Sequence, residues 1–180
     1  MVEDKKIVST YKLNLDVCKN SINFINTIQD KFLEKSWNCP IRTSFNTTPN
    51  ILNIIELFDL RMDILSKINL YMYETKNFFD GYLFNSWVNI YEKKFFQEYH
   101  NHVSEVHKFI CGCVYLTDNN SEIEFNMGPK ISPKFGDILI FEDGLMHRVI
   151  PNEKEDFRIS LAFNFKKCNE WKGINLNAPY

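Results

Sequence analysis

All four histidines of the chain, His100, His102, His107 and His147, lie between positions 100 and 147, and the first 99 residues contain none. Imidazole is the commonest ligand of first-row metals near neutral pH, so this clustering points to a metal centre. In Glu98-Tyr99-His100-Asn101-His102 an extended backbone puts His100 and His102 on one face, where His147 from a later strand can meet them. The same spacing also suits two solvated histidines before a strand and one at a turn, and His107 reads as a surface or supporting residue.

A second pattern sits near the C-terminus. From Phe157 to Phe165 the odd positions are all apolar and the even ones are Arg158, Ser160, Ala162 and Asn164, a period of two that buries one face and leaves the other to line a pocket or a solvated edge. On that second face Arg158 projects a planar fork and Ser160 a hydroxyl, a pairing suited to holding a carboxylate. Trp87, Asn89 and Tyr91 share one side of another alternating segment, with Val88 and Ile90 toward the core. Tyr115 shares a strand face with Cys111 and Cys113, where its ring can pack or its hydroxyl can meet a ligand. Five cysteines, Cys18, Cys39, Cys111, Cys113 and Cys168, form neither an even disulfide framework nor a Cys-x-x-Cys pair and read as reduced thiols.

The elements that must position these groups change character near residue 85. Before it, Asp16 is placed to cap a helix running to about Lys35, with Ile22, Ile25, Ile28 and Phe32 at helical spacing. A second helical stretch follows Pro49 and continues through Leu65 to Tyr73, and the loop Asn38 to Asn50 between them is a connector or a pocket lid. From Ser86 onward short strands are expected at Trp87–Tyr91, Phe109–Leu116, Glu122–Met127, Asp137–Phe141, His147–Ile150 and Phe157–Phe165, separated by polar turns. The prediction is a mainly β sandwich or barrel with an N-terminal helical layer. No repeat, phosphate-binding glycine loop, G-x-S-x-G elbow or H-E-x-x-H helix occurs.

Composition bounds the function. At 180 residues the chain is expected to form one domain, divided into N-terminal support (1–84), a strand-rich core (85–165) and a tail (166–180). A net charge of -2 supplies no global positive field for a phosphate backbone, so nucleic acid is an improbable partner. Apolar runs are too short for a membrane span and the acidic Met1-Val2-Glu3-Asp4 start is unlike a secretory signal, so a cytoplasmic protein is expected. A homodimer is compatible with the apolar helices but nothing in the sequence demands one.

The ordered set Asn85-Ser86-Trp87-Val88-Asn89-Ile90, His100-Asn101-His102, Cys111-Gly112-Cys113-Val114-Tyr115, Gly136-Asp137-Ile138-Leu139-Ile140-Phe141, Leu145-Met146-His147-Arg148-Val149 and Arg158 to Asn164 resembles the iron(II)- and 2-oxoglutarate-dependent oxygenases. Within them it is most similar to a small group common in marine bacteria and their phages, related to prolyl 4-hydroxylases. The resemblance implies a double-stranded β-helix, a jelly-roll of the cupin kind with supporting N-terminal helices, and for a phage protein a host-cytoplasmic setting. It implies Fe(II), 2-oxoglutarate and O₂ as cofactor and cosubstrates, His147 as the distal metal ligand, Arg158 as the clamp for the far carboxylate of 2-oxoglutarate, and Ser160 and Tyr115 beside it. Asn89 and Asn164 complete the expected cosubstrate contacts, and Trp87, Tyr91 and Tyr99 are candidates to touch substrate.

The chain departs from the family at one place. The usual first motif, His-x-Asp or His-x-Glu, reads His100-Asn101-His102 here. The metal face is then either His100, His102 and His147, or His102 and His147 with Glu105 supplying the carboxylate. The implied reaction hydroxylates an unactivated C–H bond while 2-oxoglutarate is decarboxylated to succinate, with no protein nucleophile. Peptidyl proline is the first substrate expected, then a free amino acid, then a nucleobase or small metabolite. Residues 38–50, 80–84 and 93–99 are expected to decide among them. Two other classes remain: a cupin-like metal enzyme that does not use 2-oxoglutarate, and a non-enzymatic jelly-roll binding or structural protein.

Overall fold

A computed structural model describes residues 8–34, 41–118 and 122–170. The chain opens with strand β1 (Val8–Lys12) and helix α1 (Leu15–Ile28). The helix cap is Asn14 rather than the expected Asp16: Asn14 Oδ1 accepts from the backbone N–H groups of Asp16 (2.9 Å) and Val17 (3.3 Å), which leaves Asp16 in the first turn, where its charge favours the helix dipole. The helix also stops before Lys35, loosening into a 3₁₀ turn at Gln29–Lys31. Short strands β2 (Leu33–Glu34) and β3 (Arg42–Thr43) follow.

The second helix starts later than its apolar spacing predicts. Two 3₁₀ turns, Ile51–Asn53 and Ile55–Leu57, precede helix α2 (Phe58–Thr75), because Ile54 between them is extended (ψ 134°). The first turn is pinned by Ser86, whose Oγ accepts from the Leu52 N–H at 3.0 Å and donates to Asn50 Oδ1 at 2.7 Å.

The remaining strands are β4 (Phe79–Tyr91), β5 (Gln97–His100), β6 (Lys108–Tyr115), β7 (Ile123–Phe125), β8 (Lys130–Ile131), β9 (Asp137–Glu142), β10 (His147–Val149) and β11 (Arg158–Glu170). They form a seven-stranded sheet in the order β1-β9-β6-β11-β4-β3-β2 and a four-stranded sheet in the order β5-β10-β7-β8. Both sheets are antiparallel throughout their ladders, and no strand pairing joins one to the other among the described residues. The fold is mainly β with supporting N-terminal helices. No helix among the described residues is long and apolar enough to cross a membrane.

Period-two alternation divides the large sheet into two buried faces. Ile159, Leu161, Phe163 and Phe165 of β11 pack with Val88, Ile90, Ile138 and Ile140 against Ile25 of α1 and Leu60, Ile64 and Ile68 of α2. The opposite face carries Cys111, Tyr115, Leu139 and Phe141, which meet Ile123 and Phe125 of the small sheet. Polar even positions of β11 thus point between the two sheets, and the helices serve to seal the other side.

Close backbone approach fixes two glycines. A Cβ at Gly81 would lie 2.2 Å from the Lys166 carbonyl oxygen, so Asp80-Gly81 continues β4 beside β11 where its composition suggests a turn. A Cβ at Gly112 would lie 2.2 Å from the Phe163 ring and 2.7 Å from the Leu139 carbonyl oxygen. Neither partner can retreat, because Phe163 is fully buried between sheet and helices. Gly112→Ala is therefore expected to lower the unfolding free energy by about 3 kcal/mol, readable as a fall in the urea midpoint at unchanged slope.

Candidate active site

The small sheet supplies the histidines. His147 opens β10 directly opposite His100 of β5, and His102 lies two residues beyond, its backbone N–H donating to the Asp143 carbonyl at 2.9 Å. One ligating nitrogen from each of His100, His102 and His147 falls within 4.8 Å of the others. The ring centroids are 4.2 Å apart for His100 and His147, 5.3 Å for His102 and His147, and 5.5 Å for His100 and His102. Glu105 is exposed in the following loop and is not part of this cluster, while His107 packs its ring on Phe84 (5.4 Å) and Phe109 (5.9 Å).

Hydrogen bonds fix which nitrogen of each ring is available. His100 Nδ1 is 2.9 Å from the Glu98 carbonyl oxygen and His147 Nδ1 is 2.9 Å from the Leu145 carbonyl oxygen. A carbonyl only accepts, so both Nδ1 atoms carry the proton and both Nε2 atoms keep a lone pair. His102 Nδ1 makes the equivalent bond, 2.6 Å, to Asn164 Oδ1. Three acceptors thus hold the three rings by Nδ1 and leave each Nε2 with its lone pair.

Burial keeps the rings neutral. Loss of solvent lowers the pKa of His100, takes that of His102 down to about 4, and takes that of His147, with His100 beside it, down to about 3. Phe141 (4.8 Å) and Phe125 (5.7 Å) form the apolar floor under His147. The unfolded chain accepts these protons near pH 6.5, whereas the folded metal-free protein does not until far lower, so stability is at its plateau above pH 7 and is lost as pH falls from 6.5 toward 4 and 3. By pH 5 the cost is on the order of 2 kcal/mol for each fully shifted histidine. Urea midpoints of the chelator-treated protein should therefore drop between pH 7.5 and 5, a window that lies above ordinary carboxylate titration; equal midpoints would contradict neutral buried rings.

From the histidines a narrow inner cavity of about 30 Å³ runs between the sheets to Arg158. Trp87, Asn89 and Tyr91 from β4, Cys113 and Tyr115 from β6, and Ser160 and Ala162 from β11 line it. Arg158 is only 2% exposed, lies between the rings of Tyr91 (5.3 Å) and Tyr115 (5.2 Å), and forms no ion pair with an acidic side chain among the described residues. Its guanidinium reaches only the Glu122 carbonyl at 3.4 Å, and Nε is left without a partner, as is the buried hydroxyl of Tyr115. Burial raises the Tyr115 phenol and the Cys113 thiol, so both stay protonated. A buried cation and an unsatisfied hydroxyl facing one cavity have the chemistry to hold an anion.

The sequence candidates divide between this cavity and its mouth. With its amide turned to suit its neighbours, Asn89 donates to Thr43 Oγ1 at 2.9 Å and accepts from Trp87 Nε1 at 3.3 Å. Asn164 stands behind His102, and Tyr91 donates its hydroxyl to Gln97 Oε1 at 2.9 Å. An outer cleft of about 300 Å³ opens beyond the histidines, walled by Tyr99, Val103, Trp87 and Phe45. Phe45 meets Trp87 edge-on at 5.1 Å, so the expected loop contributes Phe45 to the mouth, whereas Asn38 to Pro40, Cys39 among them, fall outside the described residues. Lys93 and Lys94 pair with Glu155 and Glu153, and Phe95 and Phe96 pack against Ile41 and Val149. Gln97, Phe45 and Asn85 were not singled out by spacing, because each is a lone polar or aromatic residue whose position depends on strand pairing.

Residues 122–164, which carry His147, Arg158, Ser160 and Asn164, match the family model described as "Putative 2OG-Fe(II) oxygenase". The viral collagen prolyl hydroxylase vCPH of Paramecium bursaria Chlorella virus-1, solved with 2-oxoglutarate, is similar in structure at 17% identity and a TM-score of 0.68, over 93% of this chain and 100% of that one. A Pseudomonas putida prolyl-4-hydroxylase is similar at 14% identity and a TM-score of 0.68, over 91% and 94%. HygX of Streptomyces hygroscopicus, solved with nickel, 2-oxoglutarate and hygromycin B, is similar at 13% identity and a TM-score of 0.64, over 97% and 89%. A search of curated proteins gives no match. Along most of its length the chain thus shares the fold of solved 2-oxoglutarate-dependent oxygenases, and over residues 122–164 its sequence matches the model of a 2OG-Fe(II) oxygenase family.

Proposed function

We propose that the protein is an iron(II)- and 2-oxoglutarate-dependent dioxygenase that hydroxylates an unactivated C–H bond, with peptidyl proline as the first substrate to test. The observation that carries this reading is the pairing, across one cavity, of three converging imidazole lone pairs with a buried arginine that has no acidic partner. The two facing sheets support a double-stranded β-helix. The proline assignment is supported by the likeness to the two prolyl hydroxylases.

The residues present fit both groups. His100, His102 and His147 would hold iron through Nε2, neutral imidazoles being suited to it, and Glu98, Leu145 and Asn164 hold the rings in that orientation. Arg158, with Ser160 and the Tyr115 hydroxyl, would take the distal carboxylate of 2-oxoglutarate and satisfy the two polar atoms that otherwise lack partners. When bound, iron supplies oxygen activation coupled to decarboxylation of 2-oxoglutarate. The chain itself orients and shields: Phe125 and Phe141 pack beneath His147, and the cavity leads from the histidines to Arg158, the cationic end at which the distal carboxylate would pair.

The three-histidine face has no carboxylate, so iron(II) and Arg158 would together carry three positive charges, of which a dianionic cosubstrate offsets two. This favours a cosubstrate with two carboxylates over a neutral ligand. The test is succinate formation from 2-oxoglutarate in air with added iron(II): turnover that disappears with a chelator is expected. Bound iron without succinate, with proline peptides, amino acids or nucleobases supplied in turn, would favour cupin-like chemistry of another kind, and failure to bind iron would leave a non-enzymatic fold.

A further inference from the structure

The inner face of the large sheet continues past the histidines onto a ledge that no other strand covers among the described residues. The ladder of β11 with β6 is unbroken from Ser160 to Lys167, so Lys166 faces the same side as Asn164, about 7 Å farther along the strand. Opposite it, β4 carries an extra residue between Leu83 and Asn85. This bulge presents Phe84 beside Tyr82, the two rings 6.4 Å apart and 40% and 48% exposed. Lys166 Nζ lies 5.9 Å from each ring centroid and has no acidic partner among the described residues.

Asn85 joins the ledge to the metal site. It pairs across the strands with Asn164, the residue that holds His102, and it lines the outer cleft. Its Oδ1 is buried without a hydrogen-bond partner, so it calls for a donor from whatever enters the cleft. A donor beside the metal, a flat or apolar group next, and an anion about 7 Å beyond define one ligand outline.

We propose that this ledge recognises a carboxylate-terminated substrate: an amide N–H next to the reactive carbon donates to Asn85 Oδ1, an apolar side chain lies on Phe84 and Tyr82, and the carboxylate pairs with Lys166. The assignment rests on the oxygenase reading, since it places the reactive carbon at the histidines. The same chemistry can come from the C-terminal end of a peptide, one residue past a proline, or from a small N-acyl amino acid.

Binding is measured by anaerobic calorimetry on the protein loaded with iron(II) and 2-oxoglutarate. The probes are N-acetyl-prolyl-phenylalanine, N-acetyl-phenylalanine, and the methyl ester of each. The acids should bind at least about tenfold more tightly than their esters. Lys166→Ala should erase that preference and Lys166→Arg should keep it. Tighter binding of the dipeptide than of the single residue identifies a peptide source, and equal binding a small acid. No binding, or equal binding of acid and ester, or an acid preference that survives Lys166→Ala, overturns the proposal. Absorbance recorded in the same titration reports the joint chelate separately: acid preference without that absorbance counts against the oxygenase reading alone.

Discussion

Replacing His147 with alanine should abolish iron-dependent consumption of 2-oxoglutarate and weaken iron binding by a factor of about 10² or more. The size of the effect follows from the geometry. His147 stands directly across from His100 in the β5–β10 pairing, and it supplies one of the three imidazole nitrogens that lie within 4.8 Å of one another. The two imidazoles that remain, His100 and His102, cannot recreate a face of three, and Glu105, exposed in the loop that follows, is not part of the cluster. Because His147 is 5% exposed and packs on Phe125 and Phe141, the variant must be shown to fold, by circular dichroism and by an unfolding midpoint close to that of the metal-free parent. His147→Gln preserves more of the volume and should lose iron all the same. Undiminished turnover in a folded variant would remove His147 from the site.

Arg158→Gln should raise the 2-oxoglutarate concentration needed for half-maximal turnover by about 10²-fold, in line with the 2–5 kcal/mol lost on truncating one partner of a buried charge pair. Its effect on stability should run the other way. In the ligand-free protein Arg158 is a buried cation with no carboxylate partner among the described residues and an unsatisfied Nε, an arrangement that costs free energy rather than providing it. The variant is therefore expected to melt at the same temperature as the parent or higher, while losing the stabilisation that 2-oxoglutarate confers on the parent. A structural arginine would show the reverse, a lower melting temperature with little change in cosubstrate requirement. Arg158→Lys should fall between, because an ammonium keeps the charge but not the two-pronged contact.

Much of the site could be read from spacing because strand periodicity is short-range. Phe157 to Phe165 alternates so regularly that both faces of β11 follow from it, and the structure places Ile159, Leu161, Phe163 and Phe165 toward the helices and Arg158, Ser160 and Ala162 toward the cavity. The His-x-His spacing likewise shares a face in any extended backbone. What spacing did not show depends on partners distant in sequence. Gln97–His100 is too polar and too short to announce itself as a strand and is one because it pairs with β10. Val8–Lys12 reaches the sheet edge only through β9. Asp80-Gly81 carries turn residues, yet the glycine is there because β11 passes too close for a side chain. At α1 both Asn14 and Asp16 have capping side chains, and the helix begins at Leu15, so only Asn14 stands immediately before it.

Asn164 shows the same limit from another side. Its place on the cavity face of β11 follows from alternation, but its bond to His102 joins residues 62 apart and comes from the way the small sheet covers the large one. Asn85 and Lys166 are likewise ordinary polar residues until the register with Asn164 and Phe109 sets them along the strand face that Asn164 shares.

The most direct measurement is an anaerobic titration of the metal-free protein, first with iron(II) and then with 2-oxoglutarate, followed by absorbance. The site described here predicts one iron per chain and, on adding one equivalent of 2-oxoglutarate, a weak metal-to-ligand charge-transfer band that is absent in His147→Ala and needs far more 2-oxoglutarate in Arg158→Gln. Iron bound at one equivalent with no band at any 2-oxoglutarate concentration, or a band of full strength in His147→Ala, would contradict it.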